Sequence, residues 1–325
     1  GNFLRLDPGR RRLLRRERFV SLFDTSPMPA YLASMIDLPR VSRNLEAGHL
    51  EALVLTATSL ETNEPELFVQ RRPQLAYSGD FRVHDVRIGV EHILASAAIP
   101  FVFPPVRIGG TYYCDGGVRL NTPMSPAIQL GADRILTIGA HALHEQRIPP
   151  RPGEAEFPSP GRLLAVVTEA IFQGKVRSDL DQLRRINRII EWAQEVCDPD
   201  FLQRLNRHVI ESGERGDIAG RGLKKIGALL IRPSQSLSQV FRDQLQANPY
   251  LDPSFSTFER FIMRLFAIDP REGRELLSYL AFSPRYLRAL LELGYEDARA
   301  QHDQLVAFFS DGELAQTFPS LTLAG

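Results

Sequence analysis

The sequence predicts an α/β fold: a sheet with flanking helices, followed by a helical C-terminal extension. Two observations carry this. Short apolar runs bounded by turn residues read as strands at Glu51–Leu60, Glu66–Gln70, Gly109–Cys114, Arg134–Gly139 and Lys225–Arg232. Beside them, Leu163–Val196 and Leu237–Phe309 carry apolar residues at helical spacing.

The elements follow in order. Residues 8–19 hold a dense arginine cluster interrupted by Leu13, Leu14 and Phe19, a pattern that suits either a solvated helix or a basic face on an anionic membrane. From Ser26-Pro27 to Ala47-Gly48 a helix-and-turn stretch leads into the strand 51–60. Glu61-Thr62-Asn63-Glu64-Pro65 has turn residues and joins it to the strand 66–70. Ile88–Ala95 reads as a helix, and Ile99–Val106 as extended chain, because its three prolines forbid a helix. Residues 144–160 are rich in proline and charge, as a linker or surface loop would be. Pro249, Pro253, Pro270 and Pro284 break the helical region that follows Leu237. Apolar residues within 261–293 suit core packing of bundled helices better than an acyl-chain wall or lid. The expected domains are a basic leading segment at 1–20, the sheet domain at 21–235 and the helical extension at 236–325.

Composition narrows the function classes. A chain of 325 residues, 43% hydrophobic and 24% charged, is an ordinary globular protein with room for one large domain and an extension, or for two domains. Its 39 basic residues balance 39 acidic ones, so nothing at whole-chain level points to nucleic acid. Apart from Lys175, Lys224 and Lys225 every basic side chain is arginine, which hints at a GC-rich genome. The two cysteines, Cys114 and Cys197, make no disulfide framework and favour a reducing compartment. The expected location is therefore cytoplasmic or peripheral to a membrane. No apolar run approaches the roughly 18 residues that span a bilayer.

The chemistry concentrates at Asp115-Gly116-Gly117. An aspartate at a strand end is well placed to act as a base, since sheet enzymes keep their chemistry at strand ends. Gly116 and Gly117 would allow a left-handed turn directly after it. Asp-Gly is also the commonest signal of a plain hairpin turn, so the step alone is ambiguous. Other constellations carry less. His141, His144 and Glu145 do not match a zinc-protease spacing and read as loop residues. His92 and Ser96 stand at i, i+4, but Ser96 lacks the flanking glycines of a nucleophile elbow. Cys114 reads as a buried strand cysteine. No acidic loop has calcium-ligand spacing, and neither a metal nor a cofactor is expected.

The order Ala95-Ser96-Ala97-Ala98-Ile99-Pro100, Phe103-Pro104-Pro105, Tyr113-Cys114-Asp115-Gly116-Gly117, Asn121-Thr122-Pro123, Pro126-Ala127-Ile128 and Leu130-Gly131-Ala132-Asp133 resembles the patatin-like phospholipases. Upstream, Leu53–Thr58 resembles the family's central strand. Asp181–Asn187, Leu276–Leu280, Leu293–Ala298 and Phe308-Phe309 resemble segments of its bacterial members, extending the resemblance from about Ser21 onward. The resemblance implies a lipid acyl-ester hydrolase that uses a Ser-Asp dyad, with Asp115 as the base, Gly116 and Gly117 supporting it, and no metal. The family's glycine-rich oxyanion loop and Gly-x-Ser-x-Gly elbow would precede these residues, and neither occurs in the sequence. Together with the start at Gly1 without methionine, this predicts the back portion of a patatin-like sheet whose N-terminal part is missing. Such a chain would be inactive alone. It would also be aggregation-prone unless paired with its own missing N-terminal segment. The expected partners are a lipid or phospholipid substrate and, through residues 8–19, a membrane surface. The competing reading is a non-catalytic module of the same fold that associates with lipid or binds a partner.

Overall fold

A computed structural model of the chain describes residues 5–6, 21, 23–120, 123–139, 142, 176–198, 200–212, 222–244 and 283–310. The basic segment 8–19, Asn121-Thr122, His141, His144, Glu145, the proline-rich stretch 144–160, residues 163–175 and the apolar positions 261–282 lie outside the described residues. The chain forms two compact units, one from Gly1–Asp133 with Gly174–Lys225 and one from Arg134–Gln173 with Ile226–Gly325.

The first unit is built on a five-stranded mixed sheet. Among the described residues, strand β1 (Arg5–Leu6) pairs only with β2 (Phe23–Asp24). Helices α1 (Met28–Met35) and α2 (Leu38–Glu46) follow, each opened by a proline in its first turn, where the missing N–H costs nothing. Asp37 caps α2 by accepting from Arg40 N at 3.2 Å. The sheet then runs β5-β4-β3-β7-β6, from β3 (Ala52–Ser59), β4 (Pro65–Arg71), β5 (Arg82–Asp85), β6 (Val106–Ile108) and β7 (Thr111–Asp115). All pairings are antiparallel except β4 with β5. The turn between β3 and β4 closes with Ser59 N donating to Glu64 O, and Asn63 takes φ 58°, the left-handed conformation that asparagine tolerates.

Helix α3 (Val90–Ser96) packs on one face of this sheet, where Ala57, Phe68, Ile88, Ala95 and Tyr113 form a buried cluster. Phe68 lies edge-on to Tyr113 (5.2 Å) and to His92 (4.8 Å), and stacks on His84 (5.2 Å). Between α3 and β6 the chain is not extended as expected. Val102 N donates to Ile99 O at 3.1 Å, closing a turn with Pro100 and Phe101 at its centre. Proline suits the first central position of such a turn, and φ 66° at Phe101 supplies the second. Phe101 is 65% exposed, an aromatic held outward on a backbone that glycine would adopt without strain. Helix α4 (Met124–Gln129) follows β7, and helices α5 (Val176–Val196) and α6 (Phe201–Glu211) complete the unit.

The second unit has a parallel pair, β8 (Arg134–Ile138) with β9 (Gly227–Ile231), and helices α7 (Leu237–Gln244), α8 (Pro284–Ala300) and α9 (His302–Phe309). Pro284 lies in the first turn of α8, as the expected break there allows, with Ser283 Oγ accepting from Tyr286 N at 3.3 Å. Phe241 and Tyr286 pack edge-to-face at 5.3 Å and tie α7 to α8. The helical C-terminal region is present. Among the described residues no helix is long and apolar enough to cross a membrane.

Candidate active site

The sequence Ile108-Gly109-Gly110-Thr111 fixes the position of β7. Gly109 (φ 57°) and Gly110 (φ 100°) both take left-handed conformations, giving a two-residue hairpin with Ile108 opposite Thr111. Five residues later the strand ends at Asp115, opposite Ala57 of β3. Ala57 is in turn opposite Glu66, and Glu66 opposite Arg82. Directly opposed residues share a face of the sheet, so Asp115, Ala57, Glu66 and Arg82 form one row across four strands.

Asp115 is held at three points. Its N–H donates to Ala98 O at 2.9 Å, just beyond α3. Its carbonyl accepts from Thr58 Oγ1 at 3.0 Å. Its side-chain Oδ1 accepts from Gly117 N at 2.7 Å, which fixes the carboxylate plane. The 3₁₀ turn Gly116–Val118 then carries the chain away. The other carboxylate oxygen, Oδ2, has no hydrogen-bond partner among the described residues. The side chain is buried, and burial pushes its carboxyl up from 3.8 to about 6 against the lowering pull of the Gly117 N–H.

The glycines after Asp115 have a different purpose from the one expected. Gly116 and Gly117 do not take positive φ. Gly116 is small because it lies against β3: a Cβ there would stand 2.4 Å from Thr56 O. Close backbone approach, not left-handed geometry, selects glycine at position 116.

The alternative candidates are structural. His92 is buried, and its Nδ1 accepts from Gly89 N at 2.9 Å, closing the first turn of α3. Its neighbour Ser96, on the same helix, is not joined to it by any hydrogen bond among the described residues. Cys114 alternates to the opposite face from Asp115. Burial, and then the Asp115 charge, push its thiol up from the ordinary value, which disfavours the nucleophilic thiolate. Both cysteines are free. Among the described residues no group of acidic, histidine or cysteine side chains could hold a metal.

One polar group in the row escaped sequence reasoning. Glu66 is 2% exposed. It binds His84 Nε2 at 2.6 Å and Tyr113 Oη at 2.8 Å, with Arg82 at 3.6 Å. Burial and then Glu66 push the Tyr113 hydroxyl up to about 12. The network fixes β5 and β7 on either side of the β3–β4 pair. The only signal for it was an acid at the head of the apolar run Leu67-Phe68-Val69, since its partners lie far along the chain. Glu66→Gln keeps an acceptor for Tyr113 but loses the charge, and is expected to cost about 1–2 kcal/mol in urea unfolding.

A strand-end aspartate on a Gly-Gly step, its carboxyl raised and one oxygen open, has the chemistry to accept a proton. Residues 3–128, which include it, match the family model Patatin-like phospholipase. Over these residues the chain is similar to the patatin-like phospholipases. The match starts upstream of Ser21 and stops before Leu130–Asp133, Asp181–Asn187 and the segments that follow them. No curated protein and no solved structure matches the chain. The patatin-like sheet with its flanking helices is the observed α/β architecture, and the family is one of lipid acyl hydrolases.

Proposed function

We propose that Asp115 is the general base of a Ser-Asp dyad that hydrolyses lipid acyl esters, and that the serine and oxyanion donors come from outside these 325 residues. The observation that carries this is the state of Asp115: Oδ1 tied to Gly117 N, Oδ2 open, and the carboxyl lifted to about 6 by burial. A base works best with a pKa near the working pH, since it must both exist ionised and accept a proton readily.

In this mechanism Oδ2 takes the serine proton as the serine oxygen attacks the ester carbonyl. The proton passes to the departing alcohol oxygen as the carbon–oxygen bond breaks, leaving an acyl-serine. Asp115 then removes a proton from water, whose oxygen attacks the acyl carbonyl. As the acyl–serine bond breaks, the proton returns to serine and the fatty acid leaves. Fixing Oδ1 on Gly117 keeps the carboxylate from rotating between these steps.

The test is fluorophosphonate labelling of the native protein, with intact mass and N-terminal sequencing. A longer chain, or an assembly, that labels on serine and hydrolyses a phospholipid supports the dyad. The 325-residue chain by itself is expected not to label. Hydrolysis should fall on an acidic limb with an apparent pKa near 6, because only ionised Asp115 accepts the proton. A native start at Gly1 with no labelled serine would sink the dyad and favour a non-catalytic lipid-associating or partner-binding module. Contact of residues 8–19 with anionic lipid, and a cytoplasmic or membrane-peripheral location, belong to the same proposal.

A further inference from the structure

Helix α5 has two apolar rows where a surface helix needs one. The inner row, Leu180, Leu183 and Ile190 with Asn187, is buried. The outer row is Ile186, Ile189, Trp192 and Val196, with Ile189 51%, Trp192 55% and Val196 83% exposed. Steps of three and four residues place these side chains along one line, the seam that a second helix fills.

The charges beside that line are ordered. Asp181 pairs with Arg184 at 2.9 Å and Glu191 with Lys225 at 3.1 Å, inside the chain. Among the described residues Arg185, Arg188 and Glu195 have no ion-pair partner, although Arg188 lies 5.9 Å over the Trp192 ring. The unpaired cations stand towards the N-terminal side of the seam and the unpaired acid towards its C-terminal end. An open depression of about 540 Å³ borders Arg185, Ile186 and Ile189.

We infer that this face docks a second copy of the chain, α5 against α5, antiparallel about a two-fold axis between residues 190 and 191. That axis sets Ile189 against the partner's Trp192. It brings Glu195 between the partner's Arg185 and the partner's Arg188, and directs Val196 to the depression beside the partner's Ile186. A two-fold interface makes each of these contacts twice. Parallel packing would set arginine on arginine. A lipid surface would leave Glu195 facing headgroups without a partner.

Trp192 is the chain's one tryptophan, so its emission reports this seam alone. The experiment is sedimentation of the full 325-residue chain from submicromolar to tens of micromolar concentration, with tryptophan emission and acrylamide quenching read in parallel. A monomer converting to a dimer, with emission moving to the blue and quenching falling over the same range, is the expected result. Ile189→Glu should weaken association at least tenfold without changing the melting temperature, because Ile189 faces outward. Glu195→Arg should weaken it too, and adding Arg185→Glu and Arg188→Glu in the same chain should restore it. A monomer at every concentration would overturn the inference. So would blue, protected emission in the dilute monomer, or a blue shift produced only by phosphatidylcholine vesicles. A dimer unaffected by these changes would overturn it equally.

Discussion

Asp115→Asn is expected to stabilise the fold and to remove hydrolysis. The two effects share a cause. Burial raises the Asp115 carboxyl from 3.8 to about 6, so the folded protein holds its ionised form at a cost. That difference corresponds to on the order of 3 kcal/mol once the group is fully ionised. The folded state binds the proton more tightly than the unfolded chain does. Below pH 3.8 both states are protonated and no penalty exists. As pH rises towards 6 the unfolded chain ionises first, and stability falls across that window. Asparagine carries no charge and still offers Oδ1 to Gly117 N. Urea unfolding at pH 7.5 should therefore show the variant more stable by about 1–3 kcal/mol, with the advantage shrinking as pH approaches 4. Equal stability at both pH values would mean that Asp115 is solvated in the native protein. Under the proposed dyad the same change should lower kcat about 10²- to 10⁴-fold, the usual loss of a general base. A residue kept at a stability cost and needed for turnover is the signature of a working site.

Gly116→Ala should act in the opposite direction. The added Cβ would come 2.3 Å from Thr56 Oγ1 and 2.4 Å from Thr56 O. The first contact could be relieved by turning a side chain, but the second is backbone in the middle of β3, already paired with Leu67. Strand β7 would have to separate from β3, and its pairing there spans only Ala57–Ser59 against Tyr113–Asp115. A loss of about 3 kcal/mol is expected, at the upper end of overpacking costs. Thr56→Ala in the same chain should not restore stability, because the carbonyl oxygen remains. Full rescue by that change would show that the contact is with the side chain alone. Under the proposed dyad Gly116→Ala would also displace Asp115, one residue earlier, and depress turnover beyond what the stability loss explains.

Much of the sheet was legible because its central strands are apolar runs with turn residues at their ends. Glu51–Leu60 and Glu66–Gln70 differ from the observed β3 and β4 by a residue or so at each end. Strand β5 was not legible: Arg82-Val83-His84-Asp85 is polar and becomes a strand only by pairing with β4. Arg71 reaches across to Asp85 at 2.7 Å, a contact that tertiary structure creates and local propensity does not contain. Asp115 was legible through the ordered residues around it. The reason for its glycines was not, since a close approach to Thr56 depends on sheet register rather than on neighbours in sequence. Glu66 was hidden for the same reason, its partners lying 18 and 47 residues away.

The pairing of β8 with β9 bears on how the protein is made. Strand β8 leaves the ribosome roughly ninety residues ahead of β9, its strand partner among the described residues, which at 5–20 residues per second is a wait of about 5–20 s. Throughout that interval Arg134-Ile135-Leu136-Thr137-Ile138 is a nascent segment with unmet backbone donors and acceptors. Biosynthetic yield will then depend on what shields those five residues during translation, and slow codons after β8 would lengthen their exposure.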